Sequence, residues 1–154
     1  MDVVDASTRS KMMAGIRAKD TKPEMVVRKY LHKRGFRYRL HMRKLPGSPD
    51  LVLVKYRVAI FVHGCFWHRH AGCRYATIPA TNVDHWRQKF DSNVARDARK
   101  ESMLHNAGWR VIIVWECDLK RAPDERLKLL IQEITTKSSV ISTVPESSVL
   151  PSEI

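Results

Sequence analysis

The chain predicts a single α/β domain built on a mixed sheet, and three observations carry that expectation. Two strongly apolar stretches, 50–54 and 58–62, are separated by only three residues, which suits a hairpin. A third apolar stretch, 109–115, returns only after a long segment of helical period. The 154 residues are 44% apolar, enough for one full hydrophobic core.

Element by element, Ser10 to about Lys19 reads as a short basic helix, or as an arm that orders on a partner. Thr21-Lys22-Pro23-Glu24 reads as a capping box, with Thr21 at the N-cap and Glu24 at N3. The helix it opens carries Val26, Val27, Tyr30 and Leu31 on its apolar side and stops at Gly35. Phe36–Leu40 alternates apolar and basic residues as a half-exposed strand does, and Leu45-Pro46-Gly47-Ser48-Pro49 turns the chain. The hairpin strands follow, Asp50–Val54 and Val58–Val62, joined by Lys55-Tyr56-Arg57. From His63 to Pro79 no period holds over most of the length, so the segment needs its own staple or a function. A helix over 82–106 shows Trp86, Phe90 and Val94 at i, i+4 spacing, and Gly108 stops it. Trp109–Trp115 reads as a strand internal to the sheet, and Pro123–Ile134 as a helix burying Leu127, Leu130, Ile131 and Ile134. The order is αβββαβα. The organisation expected is a basic segment over 1–20, a folded domain over 21–135 and a loose tail over 136–154.

The formal net charge is +12, placed unevenly. Residues 1–121 hold 25 Lys and Arg against 11 Asp and Glu, and the remainder 3 against 5. A globular region this basic suits a polyanion, because each phosphate contact by Lys or Arg releases condensed counterions. No apolar stretch reaches the length of a membrane span. The acidic start, Met1-Asp2-Val3-Val4-Asp5, lacks a signal-peptide core, so the expected compartment is the cytoplasm. Three cysteines, Cys65, Cys73 and Cys117, are too few and odd in number for a disulfide scaffold.

Cys65-x4-His70-x2-Cys73 puts three soft or borderline ligands within nine residues, and Cys117 follows the last strand. A structural Zn²⁺ takes four such groups in a tetrahedron, and a loop poor in apolar residues benefits from that staple. His68 could take the place of His70, and spacing does not choose between them.

Asp50 stands at the mouth of a buried strand. A carboxylate there suits Mg²⁺, a hard ion that binds through one or two carboxylates plus water and phosphate oxygens, and that assists phosphodiester hydrolysis. The competing reading is a turn aspartate after Pro49. His63 ends the neighbouring strand and His68 lies five residues on. An unperturbed imidazole titrates near neutrality, so one can activate water while the other contacts the phosphate. Glu24 is explained by its capping role, although a carboxylate at a helix start also reaches a metal's water shell. Phe66 and Trp67 stand together among polar neighbours. Such a pair either anchors the loop against the sheet or unstacks a DNA base step; Trp86 fits a core stripe or the same wedge.

Several linked motifs resemble the very short patch repair endonucleases (Vsr). They are Thr8-Arg9-Ser10-Lys11-Met12-Met13, Pro46-Gly47-Ser48-Pro49-Asp50, His63-Gly64-Cys65-Phe66-Trp67-His68, Pro79 to Trp86, Asn93-Val94-Ala95-Arg96-Asp97, and Gly108-Trp109-Arg110-Val111 through Trp115-Glu116-Cys117. The resemblance runs from about Ser7 to Leu119 and implies a restriction-endonuclease-like fold. It further implies an enzyme that nicks double-stranded DNA 5′ of the thymine in T·G mismatches left by 5-methylcytosine deamination. On that resemblance Asp50 is the Mg²⁺ ligand, His63 and His68 are catalytic, and Glu24 joins the metal site through water. Cys65, His70, Cys73 and Cys117 are the structural Zn²⁺ ligands, and Phe66, Trp67 and Trp86 enter the duplex beside the mismatch. A bacterial monomer that acts at the nucleoid is implied, with mismatch-repair proteins as further partners. The sequence departs from the wider restriction-enzyme pattern (D/E)-x-K, reading Phe61-Val62-His63 there; His70-Ala71-Gly72-Cys73 is also less His-rich than the family's usual loop.

A zinc-stapled, non-catalytic DNA-binding module is the competing class. Asp50 with His63 and His68 favours a nuclease, because a binder needs none of them. A third reading keeps the nuclease but gives it a structure-specific or restriction-like target.

Overall fold

The computed structural model describes residues 20–136, so the helix or arm expected over Ser10–Lys19 and the tail beyond Thr136 lie outside the described residues. Helix α1 spans Lys22–Lys33, and the Glu24 N–H donates to Thr21 Oγ1 at 3.3 Å. The Glu24 carboxylate accepts instead from the Asp20 N–H at 3.0 Å, one residue earlier than a regular capping box requires. Val27 and Leu31 are fully buried while Val26 is exposed, which narrows the inward stripe. Gly35 leaves the helix at φ +83°, where a Cβ is disfavoured.

Strand β1 is only Arg39–Leu40, shorter than the alternation predicts. Phe36 and Tyr38 pack at the margin of the core rather than joining the ladder. Strands β2 (Leu51–Leu53) and β3 (Val58–His63) form the expected hairpin, joined by a 3₁₀ turn at Val54–Tyr56 with Arg57 left-handed at φ +58°. Then come α2 (Cys65–His68), α3 (Val83–Asn106), β4 (Arg110–Trp115), α4 (Glu116–Arg121) and α5 (Pro123–Thr135). The short helices α2 and α4 are additions to the predicted order.

The sheet runs β1-β2-β3-β4, antiparallel up to β3 and parallel between β3 and β4. Strand β4 is therefore an edge strand among the described residues, not the internal one its apolar run suggested. Its two faces are covered by helices, which explains the composition. Its open rim is blunted by Arg126 of α5, whose guanidinium donates to the Ile113 carbonyl at 3.1 Å.

Alternation divides the core in two. Leu51, Leu53, Val58, Ile60, Ile112 and Val114 face α1, α4 and α5, burying Val27, Leu31, Leu119, Leu127, Leu130 and Ile134 with them. Val52, Ala59 and Phe61 face the other way, onto Leu104 of α3 and Trp109. His63 shares the parity of Phe61, so it emerges on the α3 side. Val94, expected to be inward on α3, is exposed.

Candidate active site and metal centre

The parallel register pairs His63 with Trp115 at the last rung of β3 and β4. Each strand is followed directly by a short helix, so Cys65 and Cys117, two residues past that rung, come side by side. The Cys65 N–H donates to Glu116 Oε1 at 3.3 Å across this junction. The chain leaving α2 then brings in the other two groups. His70 Nδ1 lies 3.3 Å from the Cys117 sulfur and 3.7 Å from that of Cys65. One ligand atom from each of Cys65, His70, Cys73 and Cys117 falls within 4.8 Å of all the others. Burial, foremost, pushes the Cys65 thiol up to about 12; three clustered thiols ionise together only around a cation. The His70 ring lies flat on Trp115, centroids 4.1 Å apart, which fixes its orientation. His68 is not in this group, so the structure brings His70, rather than His68, to the cysteines.

On the α3 side of the same strand ends lies a cavity of about 1120 Å³, lined in part by Glu24, Asp50, His63, His68, Phe66 and Trp67. The antiparallel register puts the start of β2 against the end of β3, and Asp50 Oδ2 accepts from the Val62 N–H at 2.8 Å. Burial raises the Asp50 carboxyl to about 6 despite that hydrogen bond, and the charge of Glu24 adds to the rise. Glu24, 1% exposed, reaches the cavity from the first turn of α1, held by His41 Nε2 at 2.8 Å and Arg28 at 3.5 Å. A buried acid with another beside it is a place where a divalent cation relieves unfavourable charge.

His63 and His68 are stacked, centroids 3.7 Å apart and 5° from parallel. Burial holds His63 down to about 3, so it is a neutral imidazole at working pH, and its Nδ1 has no hydrogen-bond partner among the described residues. His68 differs: its Nδ1 lies 2.6 Å from Asp97 Oδ2. Burial pushes Asp97 upward, but the hydrogen bond and charge of His68 outweigh it and leave that carboxyl below its ordinary range. With Nδ1–H given to Asp97, Nε2 keeps its lone pair and can accept a proton.

Phe66 and Trp67 sit on the single turn of α2 rather than in a loop. Phe66 meets Trp67, Trp86 and Phe90 at centroid distances of 5.0, 5.8 and 5.1 Å. The cluster docks α2 on α3, not on the sheet, and Asn93 fastens it by donating to the Trp67 carbonyl at 3.2 Å. Arg69 covers Phe90 at 3.8 Å and donates to the carbonyls of Phe66, Ala76 and Thr77. Of the three aromatics, Phe66 and Trp67 line the cavity, while Trp86 packs behind them.

Asp97, Lys100 and His41 carry no role in the sequence reading, yet all touch this constellation. Asp97 and Lys100 had a signal. The inward stripe of α3 is Phe90, Asn93, Asp97, Lys100 and Leu104, and its three central members are polar.

A family model described as DNA mismatch endonuclease Vsr matches residues 1–74. The type II nicking enzyme V.XorIIP of Xanthomonas oryzae pv. oryzae is 48% identical over 118 residues, 77% of this chain and 86% of that one. The DNA mismatch endonuclease Vsr of Escherichia coli K12 is 44% identical over 135 residues, 86% of each chain. Among solved structures, the homing endonuclease I-Bth0305I catalytic domain superposes with a TM-score of 0.49 at 25% identity, over 75% of this chain and 94% of that one.

Proposed function

Because the chain belongs to the Vsr family of DNA mismatch endonucleases and so hydrolyses phosphodiester bonds in DNA, we propose that it nicks duplex DNA 5′ of the thymine in T·G mismatches left by 5-methylcytosine deamination. The observation that carries the reading is the meeting of Asp50, His63 and the His68–Asp97 pair at one cavity mouth. A binding module has no use for a carboxylate and an oriented imidazole in that arrangement. The net charge of +12 fits a DNA substrate.

The residues fit Mg²⁺, which Asp50 would hold with Glu24 nearby on the same cavity. When bound, the ion supplies a Lewis acid that stabilises charge on the phosphoryl and leaving oxygens. His68 takes the proton of the attacking water at Nε2, and Asp97 holds the ring in the required tautomer and offsets the charge that develops. His63 stays neutral and offers a buried ring nitrogen to the phosphate. The Cys65, His70, Cys73 and Cys117 set fits structural Zn²⁺, because three thiolates and an imidazole would supply the four ligands a structural site takes. In this reading Phe66 and Trp67 test the base stack, with Trp86 bracing them. The enzyme works as a bacterial cytoplasmic monomer at the nucleoid, with mismatch-repair proteins as further partners.

The test is incubation with Mg²⁺ and a panel of duplexes that differ in a single pair, with the cut mapped on each strand. Nicking 5′ of the mismatched thymine is expected. Equal nicking of fully paired duplexes would replace the repair assignment with a restriction-like one; firm binding without cleavage would leave only a DNA-binding module.

A further inference from the structure

Lys100 is the one cation on the inward stripe of α3, and its surroundings are unusual for a lysine. Half-buried on the wall that carries Asp97, it lines the cavity with Asp50, His63 and His68. Its stem lies across Gly47 so closely that a Cβ at that glycine would stand 2.8 Å from Lys100 Cδ and 3.1 Å from its Cβ and Cγ. Gly47 is left-handed at φ +77° and belongs to the turn that delivers Asp50. A glycine there thus serves two demands together, the turn and the passage of the lysine stem. Among the described residues, no hydrogen bond or ion pair engages the ammonium.

A lysine aimed into solvent needs no such seat. One seated in the wall of a cavity that holds Asp50, His63 and His68, with no ion pair of its own among the described residues, is placed for an anion that arrives with the substrate. We propose that Lys100 is a substrate-contacting catalytic residue whose ammonium binds the phosphate at the bond being nicked. It comes from α3 and supplies the cation missing at the strand position Phe61-Val62-His63. The inference rests on the nuclease reading above and adds to it the residue that neutralises the reacting phosphate. A point charge at this place stabilises the extra negative charge of the transition state more than that of the ground state.

The experiment is a thermodynamic cycle between Lys100→Met and a neutral methylphosphonate at the mapped nick position of the duplex that the wild type cuts. Methionine keeps the unbranched stem over Gly47, so packing is retained, and thermal melting checks the fold. Lys100→Met is expected to slow single-turnover nicking about 100-fold and to lower the salt slope of binding by about 1. Lys100→Arg should recover part of the rate. The methylphosphonate should weaken binding of the wild type roughly tenfold and that of Lys100→Met hardly at all, because both remove one interaction. Additive losses, or equal coupling to phosphates elsewhere in the duplex, would overturn the assignment while leaving the nuclease reading intact. Wild-type protein that cuts no mismatched duplex would instead remove that reading, and Lys100's role with it.

Discussion

Asp97 accepts a 2.6 Å hydrogen bond at Nδ1 of His68 although the two residues come from different helices and lie 29 positions apart in the chain. In the proposed mechanism this bond orients the ring of His68 at the end of α2 as the base. Asp97→Asn keeps the shape but removes the carboxylate that fixes the tautomer of the ring. It should lower the nicking rate about 100-fold and leave DNA affinity near wild type. Rapid-quench single-turnover rates beside equilibrium binding check this, and equal losses in both would point to a merely structural carboxylate.

Asp50 provides a pH signature in the metal-free protein. Its folded pKa of about 6 lies above the unfolded value of roughly 3.9, so the native state holds the proton more tightly. Stability therefore falls as pH rises through the window from about 4 to 6, and the full cost remains above it. Asp50→Asn escapes that cost. At pH 7.5 it should melt higher than the wild type, by up to about 3 kcal/mol in stability, and the difference should vanish below about pH 4. Added Mg²⁺ should stabilise the wild type and not the variant.

At the candidate metal centre, Cys117→Ala removes one of the four groups that share the 4.8 Å cluster. Bound zinc should be lost from purified protein and the melting temperature should fall sharply, since structural metal binding is itself folding free energy. Elemental analysis and thermal melting give the answer. A variant with full metal content and an unchanged melt would exclude zinc from these residues.

Phe66 and Trp67 should separate in their effects. Phe66 touches Trp67, Trp86 and Phe90, so Phe66→Ala should cost about 1–3 kcal/mol by loosening α2 from α3. Trp67→Ala should cost less in stability but lower the preference for T·G over paired duplexes. Melting curves and relative nicking rates on the two substrates distinguish these outcomes.

Much of this molecule is legible in its residues, and the failures have physical causes. The hairpin, the long helix and the last helix follow from apolar period and capping, because those signals are local. The position of β4 is not local: coverage by helices on both faces gives an edge strand the composition of a central one. Val94 fails for a similar reason. Spacing by four drifts around a helix, whereas the stripe that faces the sheet alternates three and four and passes through Asn93, Asp97 and Lys100. Polar residues on an inward stripe look like noise until something beside them explains their polarity. That His70 rather than His68 joins the cysteines is equally invisible to spacing, since it depends on α2 turning between them.

That single turn also limits how the chain can vary. Between His63 and His70 the backbone presents a buried imidazole, a thiol, an aromatic pair, the Asp97-bonded imidazole and the imidazole of the cysteine cluster in succession. A helix rotates each added residue by about 100°. One insertion would therefore swing His68 away from Asp97, and one deletion would withdraw His70 from Cys117. Substitution within this stretch can be graded, but its length cannot: the count of residues is itself a functional constant, and a chain that alters it must rebuild both centres at once.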